Sequence, residues 1–196
     1  MPATRLHLVR HGEVFNPERV LYGRLPGYRL SQAGRAMATQ AADYIAGLDR
    51  PVAALLCSPL QRTKESAQPF SARFGLAPVV DDRVIDHRSD PRARTGRRGR
   101  RLNGNQLRAK QCSKQQQEPF ASIAARMRAA MNDLWDETDD GDAVIVSHQA
   151  PIWITHLSVA GEKLAHNPST RRCALSSVTS FERHDGVWTE VGYAEP

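Results

Sequence analysis

The sequence has no long hydrophobic run and no regular arrangement of cysteines. No stretch of about 18 apolar residues occurs, so the sequence predicts no membrane-spanning helix. The N-terminal residues lack the apolar segment of a secretory signal. The three cysteines, Cys57, Cys112 and Cys173, are odd in number and irregularly spaced, and they form neither a disulfide nor a zinc-binding pattern. We therefore expect a cytoplasmic protein that does not bind membranes.

Large apolar side chains are scarce in one segment, residues 87–117, where Leu102 and Leu107 are the only two. The segment holds ten Lys and Arg residues and one acidic residue, Asp90, so it accounts for the net charge of +6. It contains no aromatic residue that could stack on bases. We interpret residues 87–117 as an atypical, poorly ordered basic insert or lid rather than as a nucleic-acid tether, which would bind nucleic acid in a salt-dependent manner.

Elsewhere, short apolar runs alternate with segments of helical periodicity. The runs predict strands at residues 6–9, 52–57, 78–80 and 143–146, and the periodic segments predict helices at 31–45, 60–74, 120–136 and 151–159. Two further runs, 178–184 and 187–191, flank Asp185-Gly186 and predict a β-hairpin. Strands that alternate with helices are typical of an α/β fold with a largely parallel sheet. For 196 residues we expect one domain, residues 1–196.

Residue types suited to phosphate chemistry follow three of these strands. Arg10 and His11 follow the first strand, Arg62 lies near the start of the helix after the second, and His148 follows the strand at 143–146. Ligands bind outside the carboxyl ends of the strands in such sheets, so these residues should converge on one crevice. Guanidinium groups offer forked donors to phosphate oxygens, a neutral imidazole can attack phosphorus, and a second histidine can stabilise the developing charge.

Four short motifs, taken together in order, resemble a known family. They are Leu8-Val9-Arg10-His11-Gly12-Glu13, then Tyr22-Gly23-Arg24 with Leu30-Ser31-x-x-Gly34, then Ser58-Pro59-Leu60-x-Arg62-Thr63, and then Val146-Ser147-His148. The set resembles the histidine phosphatase superfamily, which includes the cofactor-dependent phosphoglycerate mutases, over residues 5–86 and 118–160. The resemblance implies a three-layer sandwich in which helices flank a mostly parallel central sheet.

The resemblance also implies roles for the four strand-end residues. His11 would be the nucleophile that becomes phosphohistidine. Arg10, Arg62 and His148 would complete the phosphate pocket.

Four residues are implied to contact the substrate beyond this core. Asn16 would touch the phosphate, although it lies one residue closer to the histidine than in the mutases, and Gly23 and Arg24 would line the substrate mouth. The family's general acid is usually a glutamate in a D-x-R-L-x-E stretch. Here Asp81-x-Arg83-Val84-x-Asp86 places the shorter Asp86 at that position, with its carboxyl group about one methylene further back.

We therefore expect a phosphomonoester hydrolase that acts on a small phosphorylated metabolite. No two of His87, His156, His166 and His184 have the spacing of a zinc-binding helix, and the arginines with His148 supply the charge stabilisation, so we expect no metal and no cofactor. Phosphoglycerate mutase-type phosphoryl transfer is one alternative, because it would use the same pocket. A catalytically impaired protein that binds a phospho-ligand without turnover is another.

Two residues with possible chemistry are interpreted as structural. His7 alternates with apolar neighbours on the first strand, so we expect it to be packed or solvated. Cys57 precedes Arg62 by too few residues for a cysteine-dependent phosphatase loop, and we expect a buried core thiol.

The abrupt limits of residues 87–117 suggest an origin for their composition. The family-like pattern stops after Asp86 and resumes at Glu118-Pro119-Phe120. We hypothesise that the intervening stretch is translated in the wrong reading frame, through paired compensating insertions and deletions or sequencing errors. Resequencing codons 84–120 is expected to reveal the frame change, whereas a correctly framed gene with the same protein sequence contradicts the hypothesis.

Overall fold

The computed structural model describes residues 3–20, 22–87 and 118–196. Of the predicted basic insert, His87 is described and residues 88–117 lie outside the described residues. The strands are β1 (Arg5–Arg10), β2 (Val52–Cys57), β3 (Val79–Val80), β4 (Asp142–Ser147), β5 (Val178–His184) and β6 (Val187–Ala194), and the helices are α1 (Gln32–Ala46), α2 (Gln61–Phe74), α3 (Phe120–Glu137) and α4 (Gln149–Val159). The predicted helices and strands are confirmed, with small shifts at their ends. In the ranges described, no helix is both long and apolar enough to cross a membrane.

All six strands form one sheet in the order β3-β2-β4-β1-β5-β6. The strands β3, β2, β4 and β1 pair in parallel, whereas β5 is antiparallel to both of its neighbours. The short apolar sequence of β4 is buried along its whole length, as a central parallel strand requires. The predicted α/β fold with a mostly parallel sheet is therefore confirmed.

Each face of the sheet is covered by a pair of helices. Successive side chains of β1 point to opposite faces, so Leu8 packs with Met127 of α3 while Val9 packs with Ala41 of α1 and Phe70 of α2. The helix α4 joins α3 on the first face. The molecule thus has the three layers that the resemblance implies.

Two glycine backbones contact each other directly after β1. A Cβ atom on Gly12 would lie 2.2 Å from the Gly34 carbonyl oxygen, and one on Gly34 would lie 2.0 Å from the Glu13 carbonyl oxygen. Neither distance leaves room for a side chain. The loop after β1 is therefore held against the first turn of α1, which Ser31 caps by accepting a hydrogen bond from the Gly34 N–H.

A buried polar network joins β1 to β4 at their amino-terminal ends. The fully buried His7 ring lies between Ser180 and Asp142, with Nε2 3.2 Å from the Asp142 carboxylate. Arg50 donates two hydrogen bonds, at 2.8 and 2.9 Å, to the same carboxylate, and Thr4 donates another. Burial alone would raise the pKa of Asp142, but the hydrogen bonds from His7, Arg50 and Thr4 hold it well below its usual value. Of the two expected environments of His7, packed or solvated, the structure shows the packed one.

Substitution G34A tests the glycine contact. We expect the free energy of unfolding to fall by about 2 kcal/mol or more, because backbone atoms of the β1–α1 loop must move to admit the methyl group. Denaturant unfolding measures the change. The control is G47A, because a Cβ atom there would lie 3.4 Å from its nearest neighbours and the backbone is right-handed helical. Equal stability of G34A and the wild type would contradict the proposed close contact.

Candidate active site

Three loops meet at the carboxyl edge of the parallel strands. His11 follows β1, Ser58 follows β2 and His148 follows β4. The register pairs Arg10 with Ser147, so His11 and His148 lie level on neighbouring strands. The predicted convergence of His11 and His148 at one sheet edge is therefore observed.

His11 is 3% exposed, and its hydrogen bonds define its tautomer. Nδ1 lies 2.8 Å from the Gly12 carbonyl oxygen and must donate its hydrogen, which leaves Nε2 with a lone pair. Arg62 Nε donates to that lone pair at 3.2 Å. Burial, aided by the positive charge of Arg62, lowers the pKa of His11 to about 3. The imidazole is therefore neutral over the physiological pH range.

Arg62 is the most connected residue of the site. It lies in the first turn of α2 and is 1% exposed. Its Nη2 lies 2.8 Å from the Gly23 carbonyl oxygen, 3.2 Å from Asp86 Oδ2 and 3.2 Å from His148 Nδ1. Together with the Nε contact to His11, these contacts bring four of the predicted site residues onto one guanidinium group.

His148 is neutral in the tautomer opposite to that of His11. Its Nδ1 accepts from Arg62, so Nε2 carries the hydrogen and donates it to Ser58 Oγ at 2.8 Å. Burial holds the pKa of His148 well below its usual value. The two imidazole rings meet edge to face, with centroids 5.2 Å apart.

The loop of residues 173–177, which precedes β5, forms hydrogen bonds with Arg10 and His11. The Cys173 carbonyl oxygen accepts a 2.6 Å hydrogen bond from Arg10 Nη1, and the Ser177 carbonyl oxygen accepts from the Arg10 backbone N–H at 3.1 Å. The Ser176 N–H donates to the His11 carbonyl oxygen at 3.4 Å. Sequence analysis missed this loop, because nothing in its periodicity or spacing links it to β1.

Asp86 reaches the site from the turn after β3. Its Oδ2 accepts from Arg62, and its Oδ1 accepts from the His87 backbone N–H at 2.9 Å and lies 3.1 Å from His87 Nδ1. Burial alone would raise the pKa of this carboxyl group, but the His87 hydrogen bond and the nearby His148 and Arg62 keep it well below its usual range. Asp86 is therefore a carboxylate in this structure.

The backbone around Asp86 is held by two side chains. Ser147 Oγ donates to the Val84 carbonyl oxygen at 2.7 Å, and Arg24 Nε donates to the Asp86 carbonyl oxygen at 2.6 Å. Arg24 Nη2 also lies 3.3 Å from a carboxylate oxygen of Glu118. Arg24 and Glu118 thus join the two chain segments on either side of residues 88–117.

Gly23, predicted to line the substrate mouth, and Asn16, predicted to touch the phosphate, differ in their contacts. Gly23 contributes its carbonyl oxygen to Arg62. The Asn16 side chain instead closes its own loop, donating to the Val20 carbonyl oxygen at 2.8 Å and accepting from the Val20 N–H at 3.0 Å. Contact of Asn16 with phosphate stays a prediction.

Sequence analysis assigned no role to two further residues at this edge. The Tyr22 ring lies 4.8 Å from the Arg62 guanidinium carbon and stacks on Tyr28 with centroids 4.9 Å apart. Ser58 orients His148. Both residues lie inside the motifs quoted above, so their presence in those motifs was the sequence evidence for a role at the site. Their partners are known only from the fold.

The described residues also bear on two other kinds of site, a reactive cysteine and a metal centre. Cys57 is buried, as predicted, and burial raises its pKa to about 11. Within residues 3–20, 22–87 and 118–196, no group of three or more His, Cys, Asp or Glu side chains is arranged to hold a metal ion. The groups that meet at this edge are the neutral imidazoles of His11 and His148 and the buried guanidinium group of Arg62.

Comparison with known proteins gives relatives over nearly the whole chain. The chain is 40% identical over 204 residues to the protein Rv0525 of Mycobacterium tuberculosis, covering 98% of this chain and 96% of the relative. Among solved structures, mycobacterial glucosyl-3-phosphoglycerate phosphatase Rv2419c has a TM-score of 0.71 at 22% identity, covering 96% of this chain and 97% of that one.

Two other solved structures share the fold. A putative alpha-ribazole-5'-P phosphatase from Escherichia coli has a TM-score of 0.72 at 17% identity, covering 96% of this chain and 95% of that one. Phosphoserine phosphatase from Entamoeba histolytica has a TM-score of 0.67 at 22% identity, covering 97% and 96%.

The sequence profile of the histidine phosphatase superfamily (branch 1) matches residues 6–196. This match includes every residue of the site described above. The chain therefore belongs to branch 1 of the histidine phosphatase superfamily.

Proposed function

We propose that the protein hydrolyses a phosphomonoester through a phosphohistidine formed on His11. The observation that carries the proposal is the His11 tautomer. Its Nδ1–H is held by the Gly12 carbonyl oxygen, so the Nε2 lone pair faces the Arg62 guanidinium, a group that binds phosphate oxygens.

Phosphate binding would replace contacts that Arg62 makes within the protein. A phosphate dianion offers stronger acceptors than the Gly23 carbonyl oxygen and brings its charge to a buried cation. The nearby Arg10, fixed to the Cys173 carbonyl oxygen, would supply a second cation. Phosphorus would then lie beside His11 Nε2, since the Arg62 Nε–H donates to that atom in this structure.

The reaction then proceeds in two displacements. His11 Nε2 forms a bond to phosphorus as the bond to the leaving oxygen breaks, and Asp86 in its protonated form would give a proton to that oxygen. Arg62 stabilises the charge on the transferring group. His148 would do the same after a change of tautomer, with Nδ1–H turned to a phosphate oxygen and Nε2 accepting from the Ser58 hydroxyl. Water then attacks phosphorus and gives a proton to the Asp86 carboxylate as the N–P bond breaks. Inorganic phosphate leaves, with His11 and protonated Asp86 restored.

The contacts of Arg24 favour hydrolysis over mutase-type transfer. A mutase must also hold the acid group of its substrate at the mouth of the pocket. The Arg24 guanidinium, the cation implied at that mouth, is hydrogen-bonded to Asp86 and Glu118. The proposed substrate is a small phosphorylated metabolite, as the family resemblance implies. The cysteine pattern alone supports the cytoplasm as the location of the protein.

Substitution H11A tests the nucleophile. We expect hydrolysis of p-nitrophenyl phosphate to fall by about 1,000-fold or more, because no other group can carry the phosphoryl intermediate. Rapid acid-free quenching after incubation with labelled substrate should trap phosphate on the wild type and none on H11A. The matched control is H184A, since that histidine is 78% exposed and lies at the far end of β5. Activity retained by H11A would exclude His11 as nucleophile.

A mutase assay tests the alternative reaction. Interconversion of phosphoglycerates is expected to be negligible beside hydrolysis under the same conditions. Faster interconversion than hydrolysis would favour phosphoryl transfer to a bound acid substrate.

The neutral state of His11 predicts a loss of stability in acid. An unfolded histidine has a pKa of about 6.5, so lowering pH protonates the unfolded state first and favours unfolding. With a folded pKa of about 3, His11 should remove about 2 kcal/mol of stability between pH 7 and pH 5. Denaturant unfolding at both pH values should show that much less acid destabilisation in H11N than in the wild type. An equal acid destabilisation of both proteins would contradict the neutral buried imidazole.

A further inference from the structure

The Asp86 carboxylate lies between two groups of different exposure. Oδ2 faces the buried Arg62 Nη2 at 3.2 Å, and Oδ1 faces His87 Nδ1 at 3.1 Å. The Asp86 side chain is 16% exposed, whereas the His87 side chain is 28% exposed. His87 is therefore the more exposed member of the pair.

In this arrangement Asp86 must take up a proton before it can act as the proposed general acid. The carboxylate form of Asp86 cannot protonate a leaving oxygen, and both of its oxygens accept hydrogen bonds from donors that stabilise this form. Binding of a phosphate dianion to Arg62 would remove one donor and add negative charge nearby. Both changes favour proton uptake by Asp86 at the moment when substrate is bound.

We propose that His87 supplies this proton to Asp86 across their existing hydrogen bond. The inference rests on the proposed hydrolase function and assigns His87 as a residue that acts through Asp86 without touching the substrate. A histidine ring can give up a proton at one nitrogen and later take it back, which suits a residue that hydrogen-bonds a buried acid. The first residue of the atypical segment is thus part of the proton path.

The proton transfers balance over one turnover. The imidazolium of His87 gives its Nδ1 proton to Asp86 Oδ1, and a half-turn of the carboxyl group brings the proton to the leaving oxygen as the P–O bond breaks. In the second displacement, the attacking water gives a proton to Asp86 as the N–P bond breaks. Asp86 returns that proton to His87, and the site is restored without any other reactant.

The backbone contacts of Asp86 keep the pair together while its side chain moves. Arg24 holds the Asp86 carbonyl oxygen at 2.6 Å, and the His87 N–H donates to Asp86 Oδ1 at 2.9 Å. Neither contact involves the His87 ring. A change confined to the His87 ring therefore leaves the backbone supports of the acid in place.

The test compares H87N and H87A on two classes of substrate. Asparagine keeps an N–H donor near the Nδ1 position but cannot release a proton, so it separates the hydrogen bond from the proton transfer. Activated aryl phosphates such as p-nitrophenyl phosphate need little protonation of the leaving oxygen, whereas alkyl phosphates depend on it. For the best alkyl substrate of a panel, we expect kcat to fall by about 30-fold in both variants, against about threefold for p-nitrophenyl phosphate, with KM nearly constant.

The control variant is H184N, in which the altered histidine is also beside a carboxylate, 3.4 Å from Glu182, but on β5 at the sheet edge opposite the site. Its ratio of alkyl to aryl activity should match that of the wild type. Wild-type behaviour of H87N would overturn the proton transfer and leave only a hydrogen bond. Equal losses on both substrates, or a wild type that hydrolyses aryl but no alkyl phosphates, would overturn it as well.

Trapping the phosphoenzyme distinguishes failure of this inference from failure of the proposed function. If the wild type forms a phosphohistidine and H87N keeps the wild-type substrate ratio, the function stands and the role of His87 is wrong. If the wild type forms no phosphohistidine, the proposed function and this inference are both wrong.

Discussion

A single buried guanidinium group, that of Arg62, connects the elements of the site. Its Nη2 has two hydrogens but lies within hydrogen-bond distance of three acceptors, which belong to Gly23, Asp86 and His148. A buried cation needs partners, and the protein supplies them from its own chain. Substrate must compete with these acceptors, so a doubly charged phosphate has an advantage over weaker anions. The same positive charge adds to the burial that keeps His11 unprotonated, as the proposed nucleophile must be.

The geometry around Arg62 is fixed by contacts between segments that are distant in sequence. The glycine contact sets the loop after β1 against α1, the loop before β5 holds Arg10, and Ser147 holds the turn that leads to Asp86. Each of these contacts involves a backbone atom and tolerates little movement. Such preorganisation matters for phosphoryl transfer, where positioning and electrostatics supply most of the catalysis.

The sequence predicts the strand ends well and the contacts across the site poorly. His11, Arg62 and His148 could be placed because each follows a short apolar run, and parallel strands bring their carboxyl ends together. The Cys173 carbonyl contact to Arg10 could not, because it depends on β5 pairing antiparallel beside β1. The partnership of His87 with Asp86 was also missed, since His87 was grouped with the atypical segment that follows it.

The His7–Asp142 network has a consequence for the opposite edge of the sheet. His7 in β1 contacts Asp142 of β4. A slip of β1 by one residue would turn the imidazole toward the opposite face of the sheet, where Leu8 packs, and the Asp142 carboxylate would lose this partner. The same register sets His11 level with His148, about 13 Å beyond His7 on β1 and about 20 Å beyond Asp142 on β4. A substitution in this polar cluster, remote from the site, would therefore disturb the alignment of the two imidazoles without changing any residue of the site itself.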